Sequence, residues 1–194
     1  MKVLYLFLEK IGLDPMKHGI VTLATIAEID GEVHSKNEFQ MAPFPADEFD
    51  PYILKRNGLT EEEVQAYPDP ITVFRGEILP LLDNHIDLED GNDKFIIAGN
   101  HVIFDVYFLE RLFLRCEEFT FGNYFDGQTV DLYSILHFFK FRRDFGMLNY
   151  NLPTVAEYFE VPLESPTPMN NVTAIRGILR KIREGMKWEE LVVE

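Results

Sequence analysis

Residues 4–15, LYLFLEKIGLDP, decide how the rest of the chain is read. An apolar run rich in strand formers ends in a single carboxylate, Glu9, followed by Lys10, Ile11 and a Gly12-Leu13-Asp14-Pro15 turn. Alternation along a strand puts Phe7 on the same side as Glu9, so the strand end carries one acid and one aromatic ring. The run is broken by Glu9 and Lys10 too early for a signal peptide or a membrane span.

Working outward, GIVTLATIAEIDGEVHSKNEFQM (19–41) predicts two strands joined at Asp30-Gly31, a strong hairpin dipeptide, and so a three-strand antiparallel meander with residues 2–8. A proline-punctuated loop over 42–53 leads into NGLTEEEVQAYPDPITVFRGEILPLLDN (57–84). There Thr60 and Glu63 form a capping box, and Ile71, Phe74, Ile78 and Leu82 make a helical stripe. KFIIAGN (94–100) reads as a compact strand, and FDVYFLERLFLRC (104–116) as a helix that Asp105 is placed to cap. QTVDLYSILHFFKFRRDF (128–145) reads as a strand running into a helix. LPTVAEYFEV (152–161) is a short helix and residues 170–188 a final amphipathic one. The order βββ, α, β, α, β, α, α predicts an α/β fold: one mixed sheet flanked by helices, in a single domain over 1–194.

The charge is unevenly placed. Net charge is −15, all of it within residues 1–139; residues 140–194 balance eight basic against eight acidic groups. Such a body repels a polyanion, so a protein partner is favoured, and a nucleic acid would touch the C-terminal quarter. Candidate contacts there are Arg176, Arg180, Arg183 and Lys187, spaced along one helical face, and Lys140, Arg142 and Arg143 among the aromatics of 137–145. A solvated helix face is the blander reading of both. The single Cys116 forms no internal disulfide, and a soluble, cytoplasmic protein with no membrane contact is expected.

Three local motifs, taken with this order, resemble the DnaQ-like 3′ to 5′ exonuclease superfamily of the DEDDh type. That is the ribonuclease H-like fold of polymerase proofreading subunits. Its first motif, Asp-x-Glu-Thr-Thr-Gly-Leu-x-Pro after a strand, is similar to Phe7-Leu8-Glu9-Lys10-Ile11-Gly12-Leu13-Asp14-Pro15. Its second, Gly-x-Asn-x-x-Phe-Asp before a helix, resembles IAGNHVIFDVYFLERLF (97–113), with His101 at the usual asparagine, then Phe104, and Asp105 at a metal ligand. RNGLTEEEVQAYPDP (56–70) and TVDLYS (129–134) resemble two further segments. The third motif, His, four residues, then Asp, aligns with Pro166 and Asn171.

The resemblance implies a cleft formed by Lys10, Ile11, Gly12, Leu13, His101 and Phe104. It also implies four carboxylates holding two divalent cations that activate water for in-line displacement. Here Phe7 and Asn171 stand at two of those carboxylates and Pro166 at the general base, a role worth about 10² to 10⁴ in rate. Two readings of the survivors stand side by side. Glu9 and Asp105 hold one Mg²⁺ or Mn²⁺ weakly, or Asp105 is kept as a helix cap and Glu9 is merely solvated, with no cofactor required. The function implied is a catalytically degenerate exonuclease-like binding module. The alternatives are a divergent metal-dependent exonuclease and an acidic interaction or inhibitor protein of phage or mobile-element type. His18, His101 and His137 are the histidines that could replace the lost base, provided one reaches the attacking water.

Overall fold

The structure is a computed structural model and describes residues 1–142, 147 and 149–185. Its centre is β1 (Lys2–Lys10), whose alternating side chains serve two cores at once. Leu4, Leu6 and Leu8 face one helical layer, while Val3 and Tyr5, with Phe7 partly buried beside them, face the other. β2 (Ile20–Ile29) and β3 (Glu32–Gln40) complete the expected meander. Asp30 and Gly31 both take positive φ, 51° and 89°, as a two-residue turn with this twist requires.

Four short helices, α1 (Pro51–Asn57), α2 (Glu61–Gln65), α3 (Pro70–Val73) and α4 (Leu79–Asp83), fill the next segment, with a π-helical turn at Phe74–Ile78 between the last two. The Thr60–Glu63 capping box forms in full at α2. In the predicted stripe Phe74, Ile78 and Leu82 are buried, but Ile71 is half exposed and Val73 takes its place inside. The π turn shifts the register just before Pro80, which has no N–H to give, and Leu79 N–H bonds back to Phe74 O.

β4 (Phe95–Gly99) runs parallel to β1 on the side opposite β2. It is followed by α5 (Val102–Arg115), the one-turn helix α6 (Phe121–Tyr124), β5 (Phe125–Asp131), α7 (Leu132–Arg142), α8 (Leu152–Tyr158) and α9 (Pro168–Gly185). The sheet order is β3-β2-β1-β4-β5, with β4 and β5 parallel, so the fold is the expected ribonuclease H-like α/β arrangement. Val73, Phe74, Ile78, Leu82 and the inner face of α5 cover one side of the sheet. The inner faces of α7, α8 and α9 cover the other. α8 packs on α9, and the segment just after α8 lies close to α9 at Gly177, where a Cβ would lie 2.9 Å from Val161 Cγ1. No described helix is long and apolar enough to cross a membrane.

Candidate functional site: a cleft where the three motifs meet

A cleft of about 620 Å³ opens at the C-terminal ends of β1 and β4. The first motif supplies Phe7, Glu9, Lys10, Gly12 and Leu13, the second Asn100, His101 and Asp105, and the third Pro166 and Asn171. Arg56 and Asn57 of α1 and Leu152 and Pro153 of α8 complete the wall. Segments as far apart in the chain as Phe7 and Asn171 are thus brought to one place, as their resemblance implies.

Local chemistry explains how each wall is set. The cleft lies across the end of β1, so consecutive residues Phe7, Leu8, Glu9 and Lys10 all line it, and the register against β2 shifts between Glu9 and Lys10. Gly12 is required next, because a Cβ on it would meet the His18 ring at 2.1 Å. His18 in turn closes the Gly-Leu-Asp-Pro turn, accepting from Asp14 N–H at 3.0 Å. On the second wall His101 takes φ 60°, left-handed, and α5 begins directly after it. The α5 N-terminus is held from outside: Asp131 Oδ1 accepts from Val102 N–H at 3.2 Å, and its Oδ2 accepts from Ser134 Oγ at 2.6 Å.

This corrects the expectation that Asp105 caps the helix. It sits a turn inside α5, 5% exposed, and the capping task belongs to Asp131 at the strand-to-helix junction. Two other expected cleft residues also fall elsewhere. Ile11 is fully buried against Val21, Leu54 and Val64, and Phe104 points to solvent on the outer side of α5, 56% exposed. Glu38, which the motifs do not mark, accepts from Met169 N–H at 3.1 Å and so ties β3 to the first turn of α9.

The electrostatics of the cleft are unlike those of four converging carboxylates. Lys10 Nζ donates to Asp105 Oδ1 at 2.5 Å, with 18% and 7% of the two side chains exposed. Burial pushes the Asp105 carboxyl above its usual range, and Lys10 pulls it back. Burial also raises Glu9, Thr22 opposing it and Glu38 adding to it. Asn171 is buried and spends its amide on Pro166 O at 3.4 Å. His101 stacks on Tyr133 at 3.6 Å, and Tyr133 on His137 at 3.9 Å. Burial lowers the His101 pKa, partly offset by Asp131.

No family model matches the sequence, and none of the curated proteins matches it. Solved structures do. Escherichia coli exonuclease I in complex with a dT13 oligonucleotide superposes with a TM-score of 0.76 at 16% identity, over 98% of this chain and 42% of that one. The same enzyme with dA16 gives 0.74 at 17% identity, over 94% and 41%. A moderately thermophilic exonuclease I from Methylocaldum szegediense gives 0.76 at 13%, over 95% and 41%. The chain has the exonuclease I fold. It spans about two-fifths of the length of those proteins, and at this identity the likeness concerns architecture alone.

The residues present do not fit the two divalent cations that the resemblance implies. Phe7 offers no oxygen, Asn171 offers an uncharged amide oxygen in place of a carboxylate, and an ammonium already sits on Asp105. Among the described residues no three Asp, Glu, His or Cys side chains gather where they could hold a metal ion. The basic face of α9 is in part an internal tie. Arg176 Nε donates to the buried Glu28 at 2.6 Å, Arg183 lies 3.9 Å from the same carboxylate, and Arg180 pairs with Glu184. Lys187 and Arg143 lie outside the described residues. Lys140 and Arg142 stand over the rings of Tyr150 and Phe138.

Proposed function

We propose that this chain is a disarmed exonuclease-fold domain whose cleft recognises a partner rather than cutting a phosphodiester. The observation that carries the reading is the convergence of Phe7, Pro166 and Asn171 on one cleft. Each stands where the resembling motif has a carboxylate ligand or a base: Phe7 and Pro166 offer neither ligand nor base, and Asn171 keeps an oxygen but not the charge. Fold does not determine activity; the groups at the site do. Without the base and two of four ligands, neither water activation nor charge stabilisation at the scissile phosphate is supplied.

A protein partner suits the site better than bare nucleic acid. The body carries −15, and Arg176 of α9 is tied to the buried Glu28. The similar exonuclease I structures hold oligonucleotides; here a strand entering the cleft would meet Glu9, with Arg56 and the paired Lys10 the only Lys or Arg among the described residues of the wall.

Incubation of a labelled single-stranded oligonucleotide with Mg²⁺ or Mn²⁺ at high protein concentration tests the reading. No release of nucleotides is expected, with Glu9→Ala and Asp105→Ala indistinguishable from the parent. Release that either substitution abolishes would establish a divergent metal-dependent 3′ to 5′ exonuclease instead.

A further inference from the structure

We propose that Lys10 is the resident cation of the cleft: its ammonium takes the place on Asp105 that a divalent ion would hold, so the site refuses metal. The inference rests on the reading that the exonuclease motifs are dismantled, and it adds that a fourth position, not only three, has been rebuilt.

Lys10 is fixed at three levels. Its carbonyl accepts from Asn57 Nδ2 at 3.2 Å, which pins the strand end to α1. Its ammonium lies 5.2 Å from the centroid of the Phe108 ring, a favourable seat for a cation. The same ammonium reaches Asp105 at 2.5 Å, with both groups largely out of water. Alternation along β1 places Lys10 on the same face as Leu4, Leu6 and Leu8, the face that α5 covers, so its side chain meets Phe108 and Asp105 there. A carboxylate so shielded needs a compensating charge, and one positive group in contact supplies it. A doubly charged ion approaching Asp105 must expel that ammonium, because like charges at contact distance in a poorly screened pocket repel strongly. Among the described residues lining the cleft, Glu9 is the one carboxylate besides Asp105 itself to repay the displacement.

It follows that restoring acids at the two lost positions is not sufficient to make a metal site. Binding of Mn²⁺, read as loss of the free-ion signal by electron paramagnetic resonance, is compared in the parent, in Phe7→Asp/Asn171→Asp, and in that pair combined with Lys10→Thr. The triple variant is expected to bind Mn²⁺ at least tenfold more tightly than the double, and the parent to bind none specifically. Circular dichroism checks folding; should the threonine variant not fold, Lys10→Met, which keeps the stem over Phe108, replaces it in the same comparison. Equal affinity in double and triple variants overturns the proposal, as does Mn²⁺ binding by the parent that Asp105→Asn removes. Nucleotide release by the parent would instead overturn the functional reading above, so the two failures are distinct.

Discussion

At the scale of single residues, Glu9 is a cleft acid held away from its ordinary range. Burial holds its carboxyl above the usual range, with Glu38 adding repulsion, so the folded protein grips this proton more tightly than the unfolded chain does. The stabilisation from that proton is complete below the unfolded pKa and is lost as pH rises through the folded one. Glu9→Gln, close in shape and always neutral, is therefore expected to raise the urea midpoint over the parent at pH 7. The advantage should vanish at pH 3, where the parent is protonated too. Lys10 behaves oppositely. Lys10→Met leaves Asp105 buried without its partner and is expected to cost about 3 kcal/mol at pH 7 in urea denaturation, the scale seen when one member of a buried pair is removed. The cost should shrink in acid, where Asp105 is neutral.

Between elements, the same division separates what could be read from the chain and what could not. The Asp30-Gly31 turn and the Thr60–Glu63 box were legible because each is completed within four residues. The positions of Phe7, Pro166 and Asn171 were legible because short motifs carried them to the cleft together. The partners of charged side chains were not. Lys10 finds Asp105 across 95 residues and Arg176 finds Glu28 across 148, and no local spacing encodes either. Ile11 and Phe104 were misplaced for a related reason, since the bulge after Glu9 and the left-handed turn at His101 set the facing of everything behind them. What looked like a basic helix face is therefore in part an internal tie between α9 and β2. Arg176→Ala is expected to lower stability by about 3 kcal/mol, as it leaves Glu28, 2% exposed, without its close partner. Arg180→Ala, on a pair half in solvent, is expected to leave the urea midpoint nearly unchanged in the same series.

For the molecule as a whole, net charge and fold point in different directions, and charge governs first encounter. With −15 on the body and Arg176 of α9 tied to Glu28, affinity for single-stranded DNA at physiological salt is expected to be weaker than about 10⁻⁴ M, the weak end of non-specific binding. Fluorescence anisotropy with a labelled oligonucleotide measures this directly, and a titration with added salt shows whether any residual binding is electrostatic. The central position of β1 has a consequence for biosynthesis. One of its edges is covered by β2, which follows it almost at once, while the strand that covers the other begins only at Phe95. During translation at about 5–20 residues per second, the completed meander waits on the order of ten seconds before β4 emerges. Throughout that interval an apolar strand presents a bare, hydrogen-bonding edge to every neighbouring nascent chain, the geometry that seeds intermolecular sheet growth. Yield on expression should therefore depend on what shelters that edge during synthesis more than on the stability of the finished fold.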